Sequence, residues 1–431
     1  MEASVFILVA SFLVLLIVGV PISFSIGIAT ILTMLFSIPP EPAITTVAQR
    51  MATGLDSFAL LAIPFFILSG QLMGRGGIAR RLIDAAKVIV GGLPGGLAYV
   101  NVLSCMFFGA ISGSAVAATS AIGGFMIPLL DQEGYDTNFS VALNATASTT
   151  GLLIPPSNVL IVYSLASGGV SIAALFIAGY MPGILVGLGL MAVCAVIASI
   201  KKYPVGEHPH IRDAVKKLMA AVPSLLLIII VIGGIIAGIF TATEAGAVAV
   251  IYALILSVLV YREVKIRELP SILLKTSETT AIVMLLIGTS SAMSWILSYE
   301  NIPQSISAAL IGLTQSKIII LLLINLILLI VGTFMDMTPA VLIFTPIFLP
   351  VVVRLGLTPL HFGIIIVLNL CIGLCTPPVG SVLFVGCGIG KTPITRVARA
   401  MLPFFAVMIL VLMLITYIPS ITLFLPRLFG Y

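Results

Sequence analysis

The sequence predicts an all-α polytopic membrane protein of two inverted repeats, with about ten transmembrane helices and two re-entrant helical hairpins. Three observations predict it. Of the 431 residues, 60% are hydrophobic and 8% charged, with mean hydropathy +1.29, so helix-length windows with no central charge recur along the chain. Basic residues gather in loops that one threading places on a single face. A double proline interrupts an apolar run twice, at corresponding places in the two halves. This composition excludes a soluble enzyme.

The opening MEASVFILVASFLVLLIVGV lacks a basic n-region and a small-residue cleavage site, so it reads as a retained span over 4–20. Further apolar runs predict spans over 22–37 and 57–74. RRLIDAAKVIVGG from Arg80 is amphipathic, as an interfacial helix should be. Residues 95–130 read as a hairpin, because FFGAISGSAVAATSAIGG puts small, polar and glycine residues where its tip must turn inside the membrane. Residues 139–167 read as a span broken at GLLIPPSN, and 172–199 as the span that closes the first repeat, 1–200. Proline lacks a donor and clashes with the preceding turn, so Pro155 and Pro156 free carbonyls that hydrocarbon cannot satisfy.

The polar loop KKYPVGEHPHIRDAVKK leads into a second repeat, 218–431, with the same order. Spans are expected over 222–240, 242–260 and 281–297, followed by a half-polar interfacial stretch, IPQSISAALIGLTQ, from Ile302. A hairpin over 318–353, a span over 362–389 broken at GLCTPPVG, and a span over 401–424 complete it. Gly151, Leu152, Pro155 and Pro156 align with Gly373, Leu374, Pro377 and Pro378 at a constant offset of 222 residues.

With the N-terminus outside and both hairpins returning, only Arg50, Lys317, Arg354 and Arg427 of the 20 basic residues fall outside the cytoplasmic loops. The first repeat then starts outside and the second inside, so their orientations oppose. Inverted repeats with matched broken helices are the signature of a secondary transporter whose site lies near the bilayer midplane. The net charge of +5 is spread over these loops without an aromatic-basic patch. Its role is orientation and contact with anionic membrane lipid, not nucleic acid.

Each hairpin tip is expected to meet the neighbouring break, where freed carbonyls, hydroxyls and amide oxygens can surround a small hard cation, sodium. Ser112, Gly113, Ser114, Gly151, Pro155 and Asn158 are the candidates in the first repeat. Asp336, Thr338, Gly373, Thr376, Pro378 and Gly380 are those in the second. Asp336, in VGTFMDMTPAVLIFTP, is the only acid between Glu300 and the C-terminus, and an intramembrane carboxylate must pair, protonate or meet a cation. Helices starting after the breaks aim partial positive charge between them, which favours an anionic substrate. Ser112, Ser114, Ser157 and Asp336 are the candidates for contacting it. For any single serine or threonine, a hydroxyl bonded back to its own helix is the structural alternative.

Other signals carry no chemistry. GCGIGKT has Val385 where a phosphate loop requires glycine, so no ATP site follows. His208, His210 and His361 are too scattered for a metal site, no cofactor is called for, and Cys105, Cys194, Cys371, Cys375 and Cys387 read as packing residues. Glu244 in FTATEAGAVAV reads as an acid capping a helix N-terminus, with an ion pathway as the alternative.

GVPISFSIG, IPFFILSGQLM, AISGSAVAATSAIG, GLLIPPSN, GIFTATEAGAVAV, GTFMDMTPA and LCTPPVG, in this order and spacing, resemble the large membrane subunit of the TRAP (tripartite ATP-independent periplasmic) transporters. The resemblance covers essentially the whole chain. It implies sodium-driven uptake of an organic acid, such as a C4-dicarboxylate or sialic acid, across a bacterial inner membrane. It implies two partners, a small membrane subunit encoded separately and a periplasmic substrate-binding protein. A related stand-alone transporter needing no binding protein is the alternative. The superfamily fold implies an elevator, with a mobile domain of about 95–167 plus 318–389 sliding against the remaining spans.

Overall fold

The computed structural model describes residues 2–206, 210–314, 316–377 and 380–431. Pro378 and His208, named above, lie outside the described residues. The first repeat folds as α1 (Glu2–Ile17), α2 (Ile22–Ser37), α3 (Pro40–Leu55), α4 (Ala62–Arg75), α5 (Ile78–Val90), α6 (Gly96–Ser112), α7 (Ala115–Gln132), α8 (Thr137–Ser148), α9 (Asn158–Ala166) and α10 (Ile172–Lys201). The second follows as α11 (Ile211–Ile236), α12 (Ala242–Leu254), α13 (Leu269–Tyr299), α14 (Ile302–Leu313), α15 (Lys317–Phe334), α16 (Met337–Arg354), α17 (Pro359–Gly373), α18 (Ser381–Gly390), α19 (Ile394–Tyr417) and α20 (Ser420–Leu428).

Local chemistry sets these boundaries. Thr241 and Glu244 form a reciprocal capping box at the start of α12, which settles Glu244 as a cap. Ser114, Asp136, Ser171 and Thr358 each accept a backbone N–H at the start of α7, α8, α10 and α17. The turns from α4 into α5 and from α13 into α14 use left-handed residues, Gly77 (φ 68°) and Asn301 (φ 55°). Two elements depart from expectation. The span over 401–424 is α19 ending at Tyr417 and a separate α20, because Pro419 interrupts the helix. The amphipathic α3, opened by Pro39 and Pro40, was not expected at all.

Nine helices among the described residues are long and apolar enough to cross a membrane, and these include α7, α15 and α16. Length alone would make all three span. The contacts at their ends show that they pair instead as hairpin arms. At the start of α6 the Gly95 N–H donates to the Pro204 carbonyl at 3.1 Å, and past the end of α7 Tyr135 stacks on Tyr203 at 4.0 Å between ring centroids. Both ends of α6–α7 therefore lie beside the loop leaving α10. Both ends of α15–α16 lie beside α14: α15 starts four residues after α14 ends, and Arg354 donates to Ser307 of α14 at 3.3 Å. Five crossings remain in the first repeat (α1, α2, α4, α8–α9 and α10), and this odd number inverts the second. Cross-chain bonds sort into two faces accordingly. Arg75–Ser271, Arg81–Glu263 and Asn138–Thr392 join the basic, cytoplasmic side. Ser37–Glu300, Phe58–Thr243, Tyr163–Pro359 and His361–Thr422 join the other.

The broken helices form the centre. α8 is buried from Phe139 to Ser148 and α17 from His361 to Gly373. They lie against one another through Cys371 and Cys375, whose thiols face the Thr149 and Ala145 carbonyls at 3.5 Å. All five cysteines are free and buried, as packing residues should be. In each repeat the first hairpin arm crosses the broken span backbone on backbone, through Gly109 on Gly151 and Gly332 on Gly373. A methyl on Gly373 would sit 2.6 Å from the Gly332 backbone, and the first crossing is closer still. Amide pairs bridge the same elements, Asn101 to Asn144 at 3.0 Å and Asn325 to Asn369 at 2.9 Å. The second arms also bridge the repeats: α7 packs on α18 as well as on α6 and α8, and α16 on α9 as well as on α15 and α17. Around this core lie α10 and α19, which touch each other, the broken helices and α6. A second group, α1–α4 with α11–α13, packs mainly within itself.

Gly109→Ala is expected to force the crossing apart at about 1–3 kcal/mol, lowering the detergent-solubilised melting temperature by roughly 2–6 °C. Gly124→Ala, where a Cβ meets nothing within 4 Å, is the control that should leave it unchanged.

Candidate substrate and ion site

The hairpin tips and the breaks enclose one side of a cavity of about 560 Å³, and α4 and α13 form the other. At the first tip, Ser112 ends α6, Gly113 turns the chain at φ 59°, and Ser114 caps α7 by accepting the Ala117 N–H at 3.3 Å. That turn needs glycine twice over. Its φ is left-handed, and a Cβ there would meet the Pro156 carbonyl at 3.1 Å and the Asn158 amide nitrogens at 3.5 and 3.6 Å. The inner hairpin tip therefore rests on the first break. It also touches the second helix group, because a Cβ on Gly70 of α4 would lie 2.9 Å from the Ser112 carbonyl.

In the first break the chain tightens through a 3₁₀ turn at Thr149–Leu152, passes the buried Pro155 and Pro156, and restarts at Asn158. The Ser157 hydroxyl donates to the Leu152 carbonyl at 2.6 Å, satisfying one acceptor that the missing helical donors leave open. The Asn158 side-chain oxygen is enclosed and makes no hydrogen bond, although the residue lines the cavity. Opposite, Asp336 is the N-cap residue of α16 but its side chain accepts no capping bond. It stands exposed on the cavity wall with Thr338 beside it.

Four helices begin on this cavity. Ala115 of α7, Asn158 of α9, Met337 of α16 and Ser381 of α18 are the first residues of their helices, and all line it. Their N-termini give the cavity a positive electrostatic lining, with Asp336 the one acid among the described lining residues. Such a lining accepts a carboxylate, while the acid and the open amide oxygen are ligands for a cation.

Of the residues singled out in the sequence, the cavity brings together Ser112, Gly113, Ser114, Asn158, Asp336 and Thr338. The others lie behind it. Gly151 and Gly373 occupy the backbone crossings, Pro155 is buried within the break, and Ser157 is turned onto Leu152. The Thr376 hydroxyl donates back to the Ile372 carbonyl at 2.8 Å, and Gly380 is held where a Cβ would sit 2.8 Å from the Leu374 carbonyl. Gln71, Arg75, Lys275, Thr279 and Ser381 complete the lining without having been singled out. A signal existed for Gln71, a lone amide within the otherwise apolar IPFFILSGQLM.

The sequence model of the tripartite ATP-independent periplasmic transporters, DctM component, matches residues 9–421. The chain belongs to the DctM family. It is 41% identical to the C4-dicarboxylate TRAP transporter large permease protein of Pseudomonas aeruginosa, over 94% of each chain. It is 37% identical to the sialic acid TRAP transporter large permease protein of Vibrio cholerae, over 97% of each. Among solved structures, the YdaH transporter of Alcanivorax borkumensis shares the fold, with a TM-score of 0.61 over 86% of this chain and 87% of that one at 16% identity. As a DctM protein this chain is a multi-pass inner-membrane permease and not an enzyme, the large membrane component of a TRAP transporter.

Two neighbouring residues of the break should separate. Ser157→Ala leaves the Leu152 carbonyl unpaired and is expected to destabilise by about 1–3 kcal/mol, seen as a lower melting temperature. Asn158→Ala removes an oxygen with no partner in the protein, and the melting temperature measured without substrate should stay within about a degree.

Proposed function

We propose that this permease imports an organic acid of the C4-dicarboxylate or sialic acid type together with sodium, by an elevator movement. A small membrane subunit and a periplasmic binding protein that delivers the acid complete the system. The convergence of four helix N-termini with Asp336 and the unpaired Asn158 oxygen on a single cavity carries the reading. An anion held by backbone N–H groups beside a fixed carboxylate needs a counter-cation, which couples the two species. Asp336 and Asn158 are the ligands proposed for the ion, and the 112–114 and 336–338 tips are those proposed for the acid.

The packing supports a moving unit larger than the hairpins and breaks. The sequence reading assigned 172–199 and 401–424 to the static part. We place α10 and α19 with the moving unit, because Gly179 and Gly183 of α10 lie against Leu153 and Ile154 in the break, and Phe404 of α19 against Phe139 of α8. The static unit is then α1–α4 with α11–α13. α5 and α14 are the arms between them, entered through Gly77 and Asn301. The inner tip meets α4 at Gly70, only about 7.5 Å of helix rise from Arg75 at its inner end. That depth supports an inward position of the moving unit.

Reconstituted with the small subunit and the cognate binding protein, the protein should accumulate radiolabelled succinate or sialic acid only under an inward sodium gradient, and Asp336→Asn should abolish the sodium dependence. Uptake undiminished without the binding protein would instead mark a stand-alone carrier, and uptake indifferent to sodium would remove the coupling. For the elevator, cysteines at Gly74 and Phe108, whose Cβ and ring lie 3.9 Å apart across the two units, should stop uptake when bridged by a reducible cross-linker and restore it on reduction. Full transport in completely cross-linked protein would exclude the sliding movement.

A further inference from the structure

The cavity carries three charged side chains, and their distribution is uneven. Asp336 sits on a hairpin tip, whereas Arg75 and Lys275 come from α4 and α13 and lie toward the cytoplasmic ends of those helices. Both cations are exposed. Arg75 donates to a neutral partner, Ser271, at 2.9 Å, so its charge is uncompensated by that contact. Lys275 lies 3.3 Å from Glu278, which offsets part of its charge. Gln71, Gly74, Ser120 and Thr279 also line the cavity and add no charge of either sign.

We propose that Arg75 and Lys275 form an anion-attracting mouth, a release station on the static unit toward which the substrate's carboxylate passes after leaving the hairpin tips. The proposal rests on the organic-anion reading above for the identity of the cargo. Its physical basis is a difference between the two units. On the tips, the positive field comes from helix N-termini and is opposed by Asp336, so the carboxylate is held there only while a cation neutralises that acid. Once the cation leaves to the cytoplasm, Asp336 repels the substrate. Arg75 lies about 7.5 Å of helix rise beyond the tip contact at Gly70, within reach of the far end of an extended organic acid. Low-dielectric walls on both sides focus the field of the two cations along the path. Their position on α4 and α13 gives the step its direction, because they stay at the inner end when the tips withdraw. Arg75 carries the larger share, since Lys275 is partly offset by Glu278.

The field can be read without knowing the substrate. A cysteine introduced at Thr279, one turn along α13 from Lys275 on the same helix face, lines the cavity. The five native cysteines are buried and should contribute little background. In inside-out membrane vesicles, its modification by anionic methanethiosulfonate ethylsulfonate is compared with that by the cationic ethyltrimethylammonium analogue, each normalised to free cysteine. The anionic reagent should be favoured. For a single charge within roughly a Debye length of the probe, Arg75→Gln should lower the ratio about twofold or more. Lys275→Gln should lower it less, Arg75→Lys should preserve it, and Asp336→Asn should raise it. High ionic strength should collapse the unsubstituted ratio toward that of free cysteine, a measurement that needs no charge variant to fold. A ratio equal to that of free cysteine at low salt, or one unmoved by Arg75→Gln, overturns the proposal while leaving the uptake reading intact. Failure of succinate and sialic acid uptake with the ratio as expected overturns the cargo and leaves the charged mouth standing.

Discussion

Hydrocarbon offers no hydrogen bonds, and that constraint organises the whole molecule. Double prolines interrupt the apolar run of each repeat, and each interruption leaves backbone groups that only protein, water or an ion can satisfy. The fold answers the first with buried cover. A serine hydroxyl bonds Leu152, the inner hairpin tip rests on Pro156 and Asn158, and α10 presses glycines against Leu153 and Ile154. What is left uncovered faces the cavity. The same requirement that forces the hairpins into the membrane thus decides where polar chemistry is available.

Covering a break by another backbone demands close approach, and side chains set its limit. Both repeats meet it in the same way, with glycine on glycine at the crossing and an asparagine pair further along the same two elements. The glycines permit contact and the amides fix the register, since a buried amide pair that slips loses its partners. The two repeats are not chemically equal at their tips. One offers Ser112, Gly113 and Ser114, whereas the other offers a carboxylate, so a symmetric scaffold presents an asymmetric surface to its cargo.

The architecture was legible because it is written in composition and in breakers. Apolar runs placed the spans, the double prolines placed the breaks, and the charge bias required two returning hairpins that the end contacts then display. The site was legible in part. Asp336, Asn158 and the Ser112–Ser114 turn stood out because polar or flexible residues are conspicuous in an apolar run. Gly109 and Gly332 did not, since a glycine within a helix reads alike whether it meets open space or another backbone. Arg75 and Lys275 read as orienting loop charges, and only the third dimension places them on the cavity. The packing of α10 and α19 was not legible for a related reason. A long apolar span says that it crosses, and nothing about its neighbours.

The bridging of the repeats by their second arms bears on biosynthesis. α7 packs on α18 as well as on α6 and α8, and α9 on α16 as well as on α4 and α10, so neither repeat buries all of its inner faces alone. When the ribosome has released the first repeat into the bilayer, α7 and α9 still lack these second-repeat partners, and the buried α8 still awaits α18 and α19. The N-terminal half therefore keeps part of its inner faces uncovered until nearly the entire chain has been translated. Insertion can proceed span by span, but full tertiary closure is a late event, and a message truncated after the first repeat yields a polypeptide whose break is covered by its own hairpin tip and α10 but whose α8 lacks the cover that α18 and α19 supply.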